Sequence, residues 1–177
     1  MNYCSHCGSD KLVQKVPSGD SVTRYICEFC HTVHYQNPKI VVGCLPLYDN
    51  KILLCKRAIE PRKGTWNLPA GFMENGETVE EGAIRETFEE AMVKVKIRHL
   101  HCVYTLSKFN HVYLLFLADI ITPDFSPGEE TLEVHLFDPD EIPDDEIGFV
   151  SSSFALEKYF ENQNSTKTHI GSFSGGF

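Results

Sequence analysis

Glu86, Glu89 and Glu90 form one group of residues whose spacing can do chemistry, and Cys4, Cys7, Cys27 and Cys30 form another. On a helix, positions i, i+3 and i+4 share a side, so the three carboxylates crowd together with Gly82. Ile84, Thr87, Phe88 and Ala91 then fall largely on the opposite, apolar side. Like charges so placed repel unless a cation lies between them, and clustered oxygen ligands suit a hard divalent ion such as Mg²⁺. A solvated acidic helix face is the bland alternative. The cysteines read C-x2-C-x19-C-x2-C. Two such knuckles close a tetrahedral set of thiolates, the arrangement Zn²⁺ favours; a redox pair or an iron–sulfur site is the competing chemistry. His6 and His31 flank the knuckles, but four thiolates already fill the shell, so both read as bystanders.

The helix that must carry the glutamates has clear end signals. Thr78 suits the N-cap and Glu81, three residues on, completes a capping box. The helix is expected to stop around Met92, where alternating Val93, Val95 and Ile97 begin a strand. Around the cysteines, residues 11–17 and 21–26 read as short strands flanking the turn Ser18-Gly19-Asp20, a zinc ribbon. So small a unit cannot fold on apolar burial alone and depends on its metal. Its basic residues Lys11, Lys15 and Arg24 are offset by Asp10, Asp20 and Glu28, which leaves no basic patch. A structural or dimer-supporting role is therefore expected rather than nucleic-acid binding.

Between these sites, residues 34–38 form a junction in which Pro38 holds its neighbour extended. Residues 40–47 and 51–57 read as strands of a hairpin turning at Tyr48-Asp49-Asn50, with Cys44 and Cys55 as buried apolar groups. The loop from Arg57 to Trp66 is rich in cations, and Arg57, Arg62 and Lys63 are candidates to meet a substrate phosphate; Trp66 reads as core. Beyond the helix come strands at 93–104, 112–121 and 133–137, an acidic loop at 123–131, and a closing helix at 151–160 with Phe154, Leu156, Tyr159 and Phe160 as its apolar contacts. The expected domains are residues 1–36, residues 37–161 and a flexible polar tail at 162–177.

Composition narrows the classes. A 42% hydrophobic content indicates a globular chain, and a net charge of −9 argues against a binder of nucleic-acid backbone. Seven cysteines, four of them in CxxC pairs, favour metal binding in a reducing compartment over disulfides. No apolar run reaches membrane-span length and the first residues carry no apolar signal core, so a cytoplasmic location without membrane contact is expected.

The stretch 71–93, GFMENGETVEEGAIRETFEEAMV, resembles the signature box of the Nudix hydrolases at Gly71, Glu77, Arg85, Glu86, Glu89 and Glu90. It departs from that box at Thr87, where an aliphatic residue is common, and at Met92, where glycine is usual. With a zinc ribbon ahead of it, the chain is similar to the NADH pyrophosphatase branch over residues 4–161. The resemblance implies an α/β fold, a Nudix α/β/α sandwich with a mixed β-sheet, preceded by the small ribbon domain. It also implies hydrolysis of a nucleoside diphosphate linked to another moiety, with Mg²⁺ or Mn²⁺ as catalytic metal, and a homodimer. By the same resemblance the metal ligands are Glu86, Glu90, the Ala70 carbonyl and Glu133, with Glu89 as the third box carboxylate. Arg85 is implied to pair with Glu77 and orient the helix, and Glu89 is the expected general base, with Glu133, Glu129 and Glu130 as rivals. Where that branch carries SQPWPFPxS, this chain has YTLSKFNH at 104–111. ADP-ribose or FAD is therefore the expected substrate class rather than NADH or NAD-capped RNA. A nucleotide sensor without catalysis is the alternative of a different class, and the intact Arg85, Glu86, Glu89 and Glu90 count against it.

Overall fold

The computed structural model describes residues 1–175 of the chain, which form two compact units, one over residues 1–37 and one from Pro38 onward. In the first, β1 (Leu12–Lys15), β2 (Arg24–Cys27) and β3 (Val33–His34) make a three-stranded antiparallel sheet in that order. The β1–β2 turn is tied by Asp20, whose Oδ1 accepts from the Ser21 and Val22 amides and whose Oδ2 accepts from Arg24 Nε at 3.0 Å. The buried side chains here are few: Cys4, Ile26, Cys27 and His34. That is too little apolar area to offset the entropy of ordering the segment, so the thiol cluster has to supply the difference.

The second unit opens with the hairpin β4 (Lys39–Tyr48) and β5 (Lys51–Arg57). Asp49 and Asn50 both take positive φ, which a two-residue turn between twisted antiparallel strands requires. Then follow β6 (Trp66–Asn67), β7 (Ala70–Phe72), α1 (Val79–Ala91), β8 (Val95–Leu106), β9 (His111–Ile120), β10 (Thr131–Phe137), α2 (Val150–Glu161) and β11 (His169–Phe173). The main sheet runs β10-β5-β4-β9-β8-β11, with β6 on β5 and β7 on β4. It is mixed, because β4–β9 and β8–β11 pair in parallel and the other pairs are antiparallel. Strict alternation along the strands sorts the core into two faces. Leu45, Leu47, Ile52, Leu54, Leu115 and Leu117 meet Ala155, Leu156 and Tyr159 of α2. Val42, Cys44, Leu53, Cys55, Phe116 and Ala118 meet Ala83 and Ala91 of α1. Each fully buried leucine or isoleucine contributes about 1.5–3 kcal/mol, so the α2 face holds most of the hydrophobic stabilisation. The small residues of α1 instead let that helix lie close to the sheet. Trp66 is core, 7% exposed and edge-on to Phe137 at 4.9 Å. Cys44 and Cys55 are buried, and burial pushes the Cys44 thiol up to about 12.

Two expectations need correction. Ile84 and Phe88 are not the packed face of α1; they are 37% and 39% exposed. The buried arc runs instead through Gly82, Ala83, Thr87 and Ala91, because β7 and the turn after it cover the glutamate side of the helix. The tail expected to be flexible from residue 162 contains β11, which pairs in parallel with β8 from His169↔Cys102 to Phe173↔Leu106. Its strand-forming residues satisfy the outer edge of β8, and Gly171 permits the close approach: a Cβ there would lie 2.7 Å from the Phe154 ring. Residues 176 and 177 of that tail lie outside the described residues. Among the described residues, no helix is long and apolar enough to cross a membrane.

Candidate functional site

Thr78 caps α1 as a complete capping box, its hydroxyl accepting from the Glu81 amide while Glu81 Oε2 accepts from the Thr78 amide at 2.8 Å. Seven residues into the helix, Arg85 uses its whole guanidinium fork. Nε and Nη2 donate to the two oxygens of Glu77 at 2.9 and 2.8 Å. Nη1 donates to Glu86 at 2.8 Å and to Glu89 at 3.1 Å, and Nη2 also reaches the Phe72 carbonyl at 3.1 Å. One arginine thus relieves the repulsion among the glutamates and ties helix, turn and β7 into one piece. Glu77 is held down at about 2, chiefly by the Arg85 hydrogen bonds, and also accepts the Glu74 amide at 2.7 Å.

The backbone approaches these carboxylates closely. A Cβ on Gly71 would lie 2.2 Å from Glu86 Oε2, and one on Gly82 would lie 2.6 Å from Glu77 Oε1. Only glycine leaves room for the carboxylates at these points. Glu86 is largely covered, and burial raises its carboxyl above the usual range against the pull of Arg85. Glu90 is pushed up further, to about 8: burial dominates, Glu86 and Glu130 add repulsion, and Arg57 and the Ala70 backbone oppose it. Covered carboxylates that repel one another are the kind of oxygen donor set that suits a divalent cation. Glu86 and Glu90 therefore suit a divalent ion, while the Ala70 amide donates to Glu90. Glu89 differs in being 56% exposed at the rim.

The acidic loop at 123–131 does more than connect. Ser126 and Gly128 amides donate to the Ala91 and Glu90 carbonyls at 3.0 Å, capping the end of α1. Gly128 sits so tightly on the helix that a Cβ would fall 1.7 Å from the Glu89 carbonyl. The loop brings the charge of Glu130 close enough to act on Glu90, and the Glu130 carbonyl accepts the Ala58 amide at 2.8 Å. Glu133 goes elsewhere: it pairs with Lys56 across β10 and β5 at 2.9 Å, and Lys56 in turn lies over Trp66. Arg57 is at the site, attracting Glu90 while its guanidinium covers the Phe149 ring at 5.1 Å and its Nε donates to the Pro61 carbonyl. Arg62 lies in the tight loop beyond, with positive φ and its carbonyl accepting from Thr65.

In the first unit Cys4, Cys7, Cys27 and Cys30 place their sulfurs within 4.8 Å of one another, the only such group of three or more among the described residues. Pairwise separations of 3.6 Å (Cys4–Cys30) and 3.7 Å (Cys7–Cys27) match the edge of about 3.8 Å that Zn–S bonds of about 2.3 Å give a tetrahedron. The two knuckles share one hydrogen-bond pattern. Cys4 bonds Ser9 and Gly8 as Cys27 bonds Thr32 and His31, so His31 occupies the left-handed position that Gly8 occupies in the first. Sequence reasoning missed His34, whose Nε2 lies 3.3 Å from Cys4 Sγ, and named Glu130 only as a rival general base, whereas its charge acts on Glu90.

Comparison with known proteins gives the same two parts. A family model described as NUDIX domain matches residues 37–155, and one described as Nudix N-terminal, a zinc ribbon, matches residues 2–36. An ADP-ribose pyrophosphatase of Methanocaldococcus jannaschii is 36% identical over 113 residues, 62% of this chain and 67% of that protein. The NAD-capped RNA hydrolase NudC of Chromobacterium violaceum is 34% identical over 145 residues, 80% of this chain; the match spans only 51% of that longer relative. A NUDIX hydrolase from Nitrosomonas europaea, known as a crystal structure, is 49% identical with a TM-score of 0.94 over 99% of this chain and 100% of that one.

Proposed function

Because the chain belongs to the Nudix family, we propose that it is a metal-dependent pyrophosphohydrolase acting on a nucleoside diphosphate linked to another moiety, ADP-ribose or FAD, and releasing a nucleoside monophosphate. The observation that carries this reading is the covered carboxylate pair: Glu86 is packed against Gly71 and held by Arg85, and Glu90 is buried where the charge of Glu86 acts on it. Mg²⁺ or Mn²⁺ bound there would neutralise phosphate oxygens and lower the pKa of a water nucleophile. Glu86, Glu90 and the Ala70 carbonyl would hold it, with Glu130 in place of Glu133 as the loop ligand. Arg85 orients the glutamates and Glu77 fixes Arg85. Arg57, at Glu90, is placed to meet a substrate phosphate, with Arg62 further out. Glu89, at the exposed rim, takes the role of general base. Zn²⁺ in the ribbon is structural.

The ADP-ribose or FAD assignment rests on the short connection between β8 and β9. Residues 107–110 form one tight turn, closed at Asn110 in the left-handed conformation, where the NADH pyrophosphatase branch carries SQPWPFPxS, and that departure is what favours ADP-ribose or FAD over NADH. The test is a panel of ADP-ribose, FAD, NADH, NAD-capped RNA and nucleotide sugars with Mg²⁺ or Mn²⁺, assayed by phosphatase-coupled phosphate release. ADP-ribose or FAD should turn over best, and faster turnover of NADH or capped RNA would replace this substrate reading. Glu89→Gln should lower kcat about 100-fold or more while leaving metal affinity nearly unchanged. An equal loss of both would make Glu89 a ligand. Homodimerisation belongs to the same reading and is checked by sedimentation.

A further inference from the structure

We propose that His34 is a positioning residue of the metal-binding ribbon, donating its Nε2–H to the Cys4 sulfur while its Nδ1 accepts from the Ser5 hydroxyl. The inference rests on the zinc reading of residues 1–37.

Cys4 Sγ and His34 Nε2 are 3.3 Å apart, and both residues are buried, at 2% and 8% exposure. The other ring nitrogen, Nδ1, lies 3.4 Å from Ser5 Oγ. A neutral imidazole has one donor and one acceptor nitrogen. A thiolate can only accept, so the proton belongs on Nε2, aimed at sulfur, and the Ser5 hydroxyl, free to donate or accept, then donates to Nδ1. The ring is not free to drift, because β3 fixes it through the Tyr25↔His34 pairing beside the knuckle strand. Nor is it needed as a ligand, since the four sulfurs already stand at tetrahedral spacing. The other knuckle carries a comparable partner: Thr32 Oγ1 lies 3.2 Å from Cys30 Sγ. Each CxxC pair thus has one sulfur with a side-chain hydrogen bond. A buried thiolate retains negative charge even in a metal shell, and water is excluded from serving it here. A donor aimed at that sulfur disperses the charge and fixes the lone pairs that face the metal, as outer hydrogen bonds do at other metal sites.

The experiment uses the full chain loaded with zinc, whose content is measured first. Zinc release to a chromophoric chelator should accelerate about 10-fold in His34→Phe, which fills the space without a donor. His34→Gln, whose amide N–H can take the place of Nε2–H, should recover most of the wild-type rate. In the wild-type protein, ¹⁵N NMR of the ring should show the Nε2–H tautomer, and in cobalt-substituted protein the thiolate charge-transfer band should shift in His34→Phe. Equal release rates for wild type and His34→Phe would overturn the proposal. So would an Nδ1–H tautomer with a metal-shifted Nε2, which would make His34 a ligand. A wild-type chain that carries no zinc would overturn the ribbon reading itself, a different result. Should His34→Phe fail to fold, the tautomer measured in the wild type still decides.

Discussion

Replacing Glu90 by glutamine should stabilise the metal-free fold at alkaline pH while abolishing catalysis. Glu90 is partly buried between Glu86, Glu130 and the Ala70 backbone, and its carboxyl is pushed from an ordinary 4.5 up to about 8. Between those values the folded chain holds a proton that the unfolded chain has released. The stability contributed by this proton is complete below 4.5 and is lost as pH rises through about 8. At about 1.4 kcal/mol per pH unit, the span caps the loss at about 5 kcal/mol. Relaxation and water entry reduce it, so about 2–4 kcal/mol is the expected size. Glutamine keeps the shape and carries no charge to desolvate. Urea unfolding followed by the fluorescence of Trp66, the sole tryptophan, reads the second unit directly. Without divalent cations, Glu90→Gln should exceed wild type by that amount near pH 8, and the gap should close toward pH 5. Taking the difference between the two proteins cancels the histidines, which titrate in both. Saturating Mg²⁺ should then stabilise wild type but not the variant. If Glu90→Gln is the less stable protein at pH 8 without metal, Glu90 is a satisfied structural carboxylate and the cation-site argument fails.

Arg85→Lys keeps a positive charge but loses the fork that serves Glu77, Glu86, Glu89 and the Phe72 carbonyl. Chemical denaturation should show a loss of about 2–4 kcal/mol, and kcat should fall at least about 100-fold. Gly71→Ala places a methyl 2.2 Å from Glu86 Oε2. Displacement of that carboxylate should weaken Mg²⁺ binding about 10-fold by calorimetry, against a stability cost of about 1–3 kcal/mol. Met92→Gly tests the departure from the family box at the end of α1. Met92 takes φ 52° there, so glycine should raise stability by about 0.5–1 kcal/mol in thermal unfolding, with turnover unchanged.

The parts of this molecule that were legible in its sequence are those written in local spacing. The Thr78–Glu81 capping box, the Asp49–Asn50 hairpin turn and the two CxxC knuckles each need only a few neighbouring residues to specify their geometry. What escaped depends on partners far along the chain. β11 is a strand because β8, more than sixty residues earlier, offers it an open edge. His34 matters because strand pairing returns it to Cys4, and its spacing from the second knuckle carries no ligand pattern.

The loop glutamate shows the limit most sharply, since Glu130 and Glu133 lie on one short acidic run and Glu130, not Glu133, is among the charges that act most on Glu90. The ladder between β10 and β5 slips between Thr131 and Glu133. In a strand, a slip of one residue sends a side chain to the opposite face. Glu133 thereby turns to Lys56, and its charge is answered by a surface ion pair. Glu130 precedes the slip, in the turn that Gly128 packs against the Glu89 carbonyl, and its charge adds to that of Glu86 at Glu90. A carboxylate already paired with lysine has little reason to bind a divalent cation, whereas one that worsens an existing repulsion gains by sharing one. Electrostatics thus favours Glu130 over Glu133 as the loop ligand, although both are the same residue type and three positions apart.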